Sequence, residues 1–411
     1  MFLGGAEHEA SRIRGSAIKG ALAFWWRALN FARFVKDASE DIGDALQEMR
    51  QRERELFGSS DGGQGKFLLR IRHGNLHILQ KGQVLKTDAS SRNGKEIGTG
   101  ARYLGYGIIN AFHIRANPSR NRAEKRAGEL ERSCLVAGQE FEIDIIMRPD
   151  ASPQDISELV HALQAFGLLG GLGARVRRGW GSVALKKVGV AGIENEICQI
   201  LKIPNDKGSY EEHIKDLLRV ASRASLDGKN WRLTAFANES RVYLDKTEDE
   251  NALKILDNVG EGFLKYRGWR NGDRNFTEDH DWFRVDNGEP NKAPKRTAFG
   301  LPHNYSRRLG ISLPEVDKEE LERRASPLFF HVHRFGNGKA CAVTLFMPTK
   351  FTPTGEVAIV RDEGNNRKKT PVPYDFEGDG RPVIEAFLDN KKPDRTSPSG
   401  HNYHKARQIW P

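Results

Sequence analysis

The segment GGLGARVRRGWG, residues 170–181, is the most informative stretch of this 411-residue sequence. Its five glycines allow the backbone to adopt positive φ angles and to approach a ligand closely. Three arginines within four residues offer planar forks that suit phosphate oxygens, and the tryptophan offers a flat surface for a base. This combination favours RNA over a small ligand. The residues predicted to contact RNA here are Gly171, Gly173, Arg175, Arg177, Arg178 and Trp180.

A simpler interpretation of the same segment stays open. A tight connection from a helix to a strand also needs glycines, and its arginines can be merely solvated. A nucleotide-binding P-loop is excluded, because the order GxxxxGK[ST] is absent.

The elements around this segment indicate the fold class. The spacing of apolar residues predicts helices over residues 16–29, 36–57 and 156–169. Strands are predicted over residues 67–71, 76–79, 141–147 and 182–188, with a turn at 73–75 between the first two. The order strand, helix, strands, helix, strand resembles a ferredoxin-like unit, in which two helices cover one face of an antiparallel sheet. The predicted fold class is α+β, with two ferredoxin-like (RRM-like) domains and long inserted loops.

The predicted helix at residues 16–29 combines an apolar face with a positively charged N-terminus. The apolar face is formed by Ile18, Leu22, Trp25, Trp26 and Leu29. Free backbone N–H groups at the helix N-terminus suit a phosphate, whereas the two tryptophans are expected in the core. The residues near this N-terminus that we predict to contact RNA are Arg12, Arg14, Ser16 and Lys19.

The second half of the chain begins after a change of composition at residues 189–208. Helices are predicted there near residues 210–224 and 250–266. Residues 329–334 and 340–347 are predicted to form a hairpin around a Gly-Asn-Gly turn.

The long region at residues 265–308 is rich in Gly, Asn, Asp and Arg, and loops of this length are usually functional or disordered. The tail at residues 391–411 is basic and is expected to lack a packed core. The predicted organisation is therefore an N-terminal domain at residues 1–190, a second domain at residues 191–390 and the tail.

Composition limits the possible partners. The formal net charge of +10 favours a polyanion, and nucleic acid is the first candidate. No run of 18 or more apolar residues is present, so we expect no membrane span. Cys134, Cys198 and Cys341 are far apart, which argues for a reducing cytoplasm and against a structural zinc site. We expect a cytoplasmic protein with no cofactor, no metal and no small-molecule substrate.

Two parts of the sequence resemble the RAMP superfamily of CRISPR proteins, whose members combine ferredoxin-like domains with a glycine-rich loop. One part is the segment at residues 170–181. The other comprises FLGGA at 2–6, SAIKGAL at 16–22 and FWWRAL at 24–29, and it is similar to first subunits of the type III-B (Cmr) complex. The same subunits are matched by YLGYG at 103–107, GLP at 300–302 and RRASPL at 323–328.

This resemblance implies a non-catalytic, RNA-binding subunit of an RNA-guided ribonucleoprotein complex that acts in antiviral defence. It implies a position towards the 3′ end of the guide RNA and contacts with guide RNA, target RNA and other RAMP subunits. Target cleavage is credited to a different subunit of such complexes. By the same match, Lys19 and the three arginines of the glycine-rich segment face RNA.

The sequence departs from the family pattern at two points. The family carries a first strand and a Thr-Pro pair ahead of the FLGGA string, whereas this sequence begins at Met1 within that motif. We therefore expect the first strand of the N-terminal sheet to be missing. Ala23 stands where the family commonly has arginine, so one phosphate contact is expected to be absent.

Two other functions stay open. A metal-independent RNase of the RAMP type needs a general base and acid near the scissile phosphate, and His8 and His113 are the candidates. A scaffold that bridges subunits without contacting RNA is the second alternative. Metal binding by His331 and His333, or by the run Asp279-His280-Asp281, is disfavoured because no third ligand is evident and solvated charge is common in loops.

Overall fold

The computed structural model describes all residues except 4–12, 36–41, 88–94, 115, 117–123, 192–199, 226–232, 269–271, 282–291, 306–308, 317–318, 321–322, 353, 363–366 and 394–401. Helices and strands are mixed along the described chain, which confirms the predicted α+β class. The helices are α1 Gly15–Phe34, α2 Ile42–Phe57, α3 Thr99–Leu104, α4 Pro153–Leu169, α5 Lys207–Val220, α6 Ala252–Arg267, α7 Thr277–Asp281 and α8 Arg381–Leu388. A 3-10 helix covers Lys295–Phe299, and a π-helical turn covers Phe376–Gly380.

The strands are distributed over six small sheets within the described residues. Those of the first half are β1 Gly58–Ser59, β2 Gly63–Gln64, β3 Phe67–Arg72, β4 Ile78–Leu79, β5 Cys134–Leu135 and β6 Glu142–Met147. Those of the second half are β7 Arg241–Asp249, β8 His303–Asn304, β9 Leu309–Ser312, β10 Glu315–Val316, β11 Glu319–Glu320, β12 Leu328–Arg334, β13 Ala340–Phe346, β14 Glu356–Asp362, β15 Arg367–Pro373 and β16 Ala406–Trp410.

Helix α1 lies at the centre of the N-terminal half, where it packs against α2 and α4. All five residues of its predicted apolar face are buried. Helix α4 begins with a capping box, in which the Ser152 hydroxyl accepts the backbone N–H of Asp155. The Trp26 indole donates to Glu158 Oε2 of α4 at 2.8 Å, so this tryptophan is a core residue, as predicted.

The strands of the N-terminal half pair differently from their order in the sequence. Strand β3 pairs with β6 in an antiparallel ladder, and the short β4 pairs with β5. The two strands on either side of the predicted turn at residues 73–75 therefore do not pair with each other. Residues 183–188 form no strand, contrary to the prediction. A strand requires a neighbouring segment with which it forms a ladder of hydrogen bonds, and these residues have no such ladder in the described structure. Alternation of apolar residues identifies strands without choosing their partners.

The main sheet of the second half has the strand order β12–β13–β7–β16, and its three ladders are antiparallel. Its elements follow one another in the chain as β7, α6, β12, β13, α8 and β16. The predicted hairpin is confirmed, because β12 and β13 pair from Leu328 with Phe346 to Arg334 with Ala340. The hydroxyl of Tyr266 in α6 donates to the Val383 carbonyl in α8 at 2.7 Å, which joins the two helices.

The C-terminal tail belongs to this sheet, since β16 pairs with β7 along its edge. Tyr403, His404 and Ile409 are buried. The prediction that residues 391–411 lack a packed core is therefore wrong for their described part.

A second antiparallel sheet, with the order β15–β14–β9–β8, is formed by insertions into the main unit. Strands β8 and β9 come from the connection between α6 and β12, and β14 and β15 come from the connection between β13 and α8. Part of the region predicted to be irregular, residues 265–308, thus contributes α7, the 3-10 helix and β8.

The two halves share the main sheet. Val242 and Leu244 of β7 pack in a cluster with the N-terminal helices, whereas Tyr243 packs in the cluster that contains α3, α6 and α8. Successive strand residues face opposite sides, so each face of the sheet is covered by a different core.

Within the described residues, no helix combines the length and the apolar character that crossing a membrane would require. Cys134 and Cys341 are buried free thiols, and Cys198 lies outside the described residues.

Candidate RNA interface

The glycine-rich segment at residues 170–181 wraps around the first residues of the chain. The N–H of Ala174 donates to the Phe2 carbonyl at 2.7 Å, and the N–H of Leu172 donates to the Gly181 carbonyl at 2.9 Å. Gly173 has a φ of +93°, and a Cβ atom there would lie 2.3 Å from the Phe2 carbonyl oxygen. This glycine permits a close approach to the protein's own backbone rather than to a ligand.

Trp180 is a core residue, which corrects the prediction that its ring offers a surface for a base. The side chain is 3% exposed, and its ring meets that of Phe2 edge to face at a centroid distance of 5.6 Å. A glycine-rich neighbourhood suggested an accessible ring, but the small residues allow other chain segments to close over it.

The same segment covers the outer edge of the main sheet. The N–H of Phe330 in β12 donates to the Arg177 carbonyl at 3.0 Å, and the N–H of Val332 donates to the Ser182 hydroxyl at 3.0 Å. These bonds satisfy edge groups of β12 that would otherwise be unpaired. The segment thereby places its arginines at the junction of the two halves.

Arg177 is held at this junction by neutral groups. Its guanidinium lies 4.3 Å from the centroid of the Phe329 ring, and its Nη1 donates to the Ser326 carbonyl at 2.8 Å. Burial lowers the pKa of Arg177 to about 10, and the nearby charge of Arg324 acts in the same direction.

Arg178 and Arg267 form the inner part of the site. Arg178 Nη2 donates to the Phe299 carbonyl at 2.9 Å, while its Nη1 is buried and has no hydrogen-bond partner among the residues that the structure describes. Arg267 Nη1 donates to the Tyr103 hydroxyl at 2.9 Å. Both guanidinium groups face the Phe263 ring, at 4.8 Å and 6.0 Å from its centroid. Burial lowers the pKa of Arg178 to about 9, and the charge of Arg267 is the next cause.

Arg175 forms the outer part and is exposed to solvent, as is Arg323. Although part of the side chain is exposed, partial burial lowers the pKa of Arg175. The positive charge of Arg323 lowers it further. Arg132 adds a smaller effect of the same sign. The backbone of Arg175 has a φ of +64°, an uncommon conformation for a residue with a side chain.

These side chains form one group that we name the arginine cluster. Its members are Arg132, Arg175, Arg177, Arg178, Arg267, Arg323 and Arg324. Within the described part of the chain, the charges that shift the pKa values of Arg175, Arg177 and Arg178 come from arginines and tyrosines, and no carboxylate is among them. Like charges that are partly desolvated repel each other, so an anion at this position would stabilise the folded protein.

The predicted residues near α1 that the structure describes are not part of this cluster. Arg12 lies outside the described residues, and Arg14 and Ser16 are exposed. Helix α1 begins at Gly15 with no side-chain cap, so the Ser16 hydroxyl does not cap it. Lys19 is half-buried, and its Nζ lies 5.6 Å from the centroid of the Phe67 ring.

Gly171 is half-buried and Gly173 is exposed. The structure thus brings together the three arginines of the glycine-rich segment, whereas Lys19 in α1 lies against the Phe67 ring of β3. Sequence reasoning missed Arg132, Arg267, Arg323 and Arg324 as partners of these arginines. Arg323 and Arg324 stand in a string that matches the family, but no local pattern connects residues so far apart in the chain.

The structure also places the residues considered for metal binding or catalysis. His331 and His333 are buried, and burial lowers the pKa of His331 to about 3 and that of His333 well below its ordinary value. Asp279 is buried and accepts the backbone N–H groups of Lys295 and Arg296 at 2.9 and 3.0 Å, which is a structural role. No group of three metal-ligating side chains occurs among the residues that the structure describes.

Of the two nuclease candidates, the structure describes only His113. His8 lies outside the described residues. His113 is exposed, and its Nε2 pairs with Glu124 Oε1 at 2.8 Å.

Comparison with known proteins identifies the class of this N-terminal region. The family described as "RAMPs: RAMP superfamily" matches residues 1–184. The predicted resemblance to that superfamily is confirmed over these residues, which include both α1 and the glycine-rich segment.

More specific similarity leads to the Cmr proteins. A protein of Pyrococcus furiosus described as "CRISPR system Cmr subunit Cmr1-2" is 24% identical over 188 residues, which cover 45% of this chain and 89% of that protein. The solved structure "Crystal structure of Cmr1 from Pyrococcus furiosus (apo form)" aligns with 97% of this chain and 91% of its own, at 16% identity and a TM-score of 0.48. The similarity to the Pyrococcus furiosus Cmr subunit confirms the predicted resemblance to a first subunit of a Cmr complex.

Proposed function

We propose that this chain is a non-catalytic, RNA-binding subunit of a type III-B CRISPR complex and that it holds the RNA backbone through the arginine cluster. The observation that carries this proposal is a set of neighbouring, partly desolvated arginines. Among the described residues, no carboxylate contributes to the charges that shift the pKa values of Arg175, Arg177 and Arg178. Phosphate groups would supply negative charge there, and the planar guanidinium groups suit them. RNA contacts of this kind position the backbone without reading its sequence.

The place of the chain in a complex is proposed from its relatives. The printed description of the Pyrococcus furiosus protein makes it a Cmr subunit, and we extend that membership to this chain. The partners are then other RAMP subunits, the guide RNA and target RNA in the cytoplasm. We place this subunit towards the 3′ end of the guide, where it helps to capture target RNA.

The fold supports the proposed duplication of a ferredoxin-like unit. The elements β7, α6, β12, β13, α8 and β16 follow the βαββαβ order of that unit, and the second domain then extends through β16. In residues 1–190, α1, β3, β6 and α4 supply the helix, two strands and second helix of a similar unit. We propose that these residues form the N-terminal domain.

Three members of the arginine cluster, Arg132, Arg175 and Arg323, provide the direct test. We expect the triple variant Arg132→Gln, Arg175→Gln and Arg323→Gln to bind short single-stranded RNA at least about tenfold more weakly, because each side chain can neutralise a phosphate. The slope of log affinity against log salt concentration should decrease by about 0.7 for each contact that is lost. Fluorescence anisotropy titrations over a range of KCl concentrations measure both quantities.

A matched triple variant controls for the change of net charge. Arg72→Gln, Arg148→Gln and Arg219→Gln remove three arginines that form ion pairs on the surface. Equal losses of affinity in the two triple variants would contradict a specific RNA site. Cleavage of the RNA by purified protein in EDTA would favour the nuclease alternative, and unchanged affinity in the first variant would favour a scaffold.

A further inference from the structure

Tyr106 is an exposed aromatic residue in the turn that lies against Arg175. It is 65% exposed, whereas Tyr103, three residues earlier, is half-buried and receives a hydrogen bond from Arg267. The tyrosine at position 106 also contributes to the electrostatic environment of Arg175. Its side chain is therefore accessible to solvent, and the next residue, Gly107, lies against the Arg175 guanidinium.

The turn that carries Tyr106 is fixed against the glycine-rich segment. The N–H of Tyr106 donates to the Tyr103 carbonyl at 3.3 Å, and the N–H of Ile108 donates to the Gly105 carbonyl at 3.0 Å. Gly107 has a φ of +87°, and a Cβ atom there would lie 3.0 Å from Arg175 Nη2. The glycine lets the guanidinium of Arg175 approach the backbone immediately after Tyr106.

An accessible aromatic ring next to guanidinium groups has the two features that hold one nucleotide of a single strand. The ring stacks on a base, and the arginines contact the adjacent phosphates. Stacking on a side chain requires a base that is not enclosed between two neighbours of a duplex, and recognition of single-stranded RNA relies on such unstacked bases.

We propose that Tyr106 stacks on an unpaired base of RNA whose backbone is held by Arg175 and Arg323, so that this site selects single-stranded over duplex RNA. This inference rests on the proposed function, since the arginine cluster must contact RNA for Tyr106 to reach a base. Tyr106 adds selectivity for the single strand, and the arginines supply affinity for any RNA backbone.

The test compares Tyr106→Ala, Tyr106→Phe and the wild-type protein on one short RNA, presented either as a single strand or as a duplex. We expect Tyr106→Ala to weaken binding of the single strand about tenfold, because a base loses its stacking partner. Duplex binding and the salt dependence should stay unchanged, because no phosphate contact is lost. Tyr106→Phe should bind like the wild type, because stacking uses the ring and not the hydroxyl.

A second readout reports on the base itself. A 2-aminopurine in the single strand should lose fluorescence when it stacks in the wild-type complex, and Tyr106→Ala should abolish that loss. Phe112→Ala is the control, since this aromatic residue is 47% exposed on the same stretch of chain and should leave both readouts unchanged.

Three outcomes overturn the inference. Equal affinity of Tyr106→Ala and wild type for the single strand removes the stacking role, even if the arginine variants bind weakly and the proposed function stands. Equal losses on single strand and duplex remove the selectivity. A wild-type protein that binds neither form of RNA overturns the proposed function together with the inference.

Discussion

Within the described parts of the chain, the positive charge of Arg178 is stabilised by a carbonyl dipole and an aromatic ring rather than by a carboxylate. The Phe299 carbonyl accepts one N–H, and the Phe263 ring lies 4.8 Å from the guanidinium. Both groups are neutral, so they leave the net charge of the site unchanged. This arrangement keeps inner arginines protonated near neutral pH and leaves their field available to an anion.

Glu158 shows the opposite arrangement, a buried carboxylate with several donors. It accepts Trp26 Nε1 at 2.8 Å and Arg33 Nη1 at 2.9 Å, and Arg52 Nη2 lies 3.3 Å away. Burial opposes its ionisation, but these hydrogen bonds hold the pKa of Glu158 below its ordinary value. The residue joins α1, α2 and α4.

We expect Glu158→Gln to lower the free energy of unfolding by about 2–3 kcal/mol, because it leaves Arg33 and Arg52 without their shared carboxylate. Chemical denaturation measures the change. Glu140→Gln is the control, because Glu140 is 67% exposed in its pair with Lys186 and should cost less than about 1 kcal/mol. Equal costs for the two variants would show that the buried network contributes nothing special to stability.

The sequence predicts which arginines belong to the site, but it does not predict how deeply each side chain is buried. The sequence indicates that Arg175, Arg177 and Arg178 lie together, because they fall within four positions. It does not indicate that Arg175 is exposed while Arg178 is desolvated, since depth depends on Phe263 and Phe299, which come from distant parts of the chain. Trp180 failed as a prediction for the same reason, because Phe2 covers its ring.

At the scale of elements, the glycine-rich segment acts first as a structural connection. Gly173 combines a φ of +93° with a contact that leaves no room for a Cβ atom. The segment therefore needs glycine at this position to pack against residues 1–3. This requirement is independent of any ligand that the segment contacts.

Gly173→Ala should lower the free energy of unfolding by about 3 kcal/mol, which combines backbone strain with steric conflict at the Phe2 carbonyl. Gly138→Ala separates the two causes. Gly138 has a φ of +81°, but no heavy atom of the described residues lies within 4 Å of the position that a Cβ atom would take. That control should cost only about 1 kcal/mol. Thermal and chemical denaturation of both variants give the comparison, and equal costs would contradict the packing role of Gly173.

The elements themselves were predicted better than their partners. Helix α1 and the β12–β13 hairpin follow from apolar spacing and a short glycine turn, which are local properties of the chain. The pairing of β3 with β6 joins segments about seventy residues apart, and alternation alone does not specify it. The strand β16 was missed because its exposed residues are polar and its contacts come from β7 and α5, which lie far away in the sequence.

At the scale of the whole molecule, the main sheet joins the two halves, and buried histidines lie on or beside it. His331 and His333 lie on β12, and His404 precedes β16. His404 Nε2 shares a hydrogen bond with the Thr344 hydroxyl at 2.9 Å, and the His333 ring lies 4.6 Å from that of Tyr210. Burial lowers the pKa of His404 to about 4 and that of His331 to about 3.

These histidines should make the fold sensitive to acid. In the unfolded chain each histidine has a pKa of about 6.5, whereas its pKa in the folded protein is lower. At pH values between these two pKa values, the unfolded state binds protons that the folded state does not. Stability is therefore complete above about pH 6.5 and falls as the pH decreases, by about 1.4 kcal/mol per pH unit for each histidine.

His333→Phe should keep the contacts with Tyr210 and reduce the loss of stability between pH 8 and pH 5 by about 2 kcal/mol, as measured by urea denaturation. His113→Gln, which removes an exposed histidine, is measured alongside it as the control for the loss of a histidine. If His333→Phe and the wild type lose the same stability, His333 accepts a proton in the folded protein and the sheet does not depend on its neutral form.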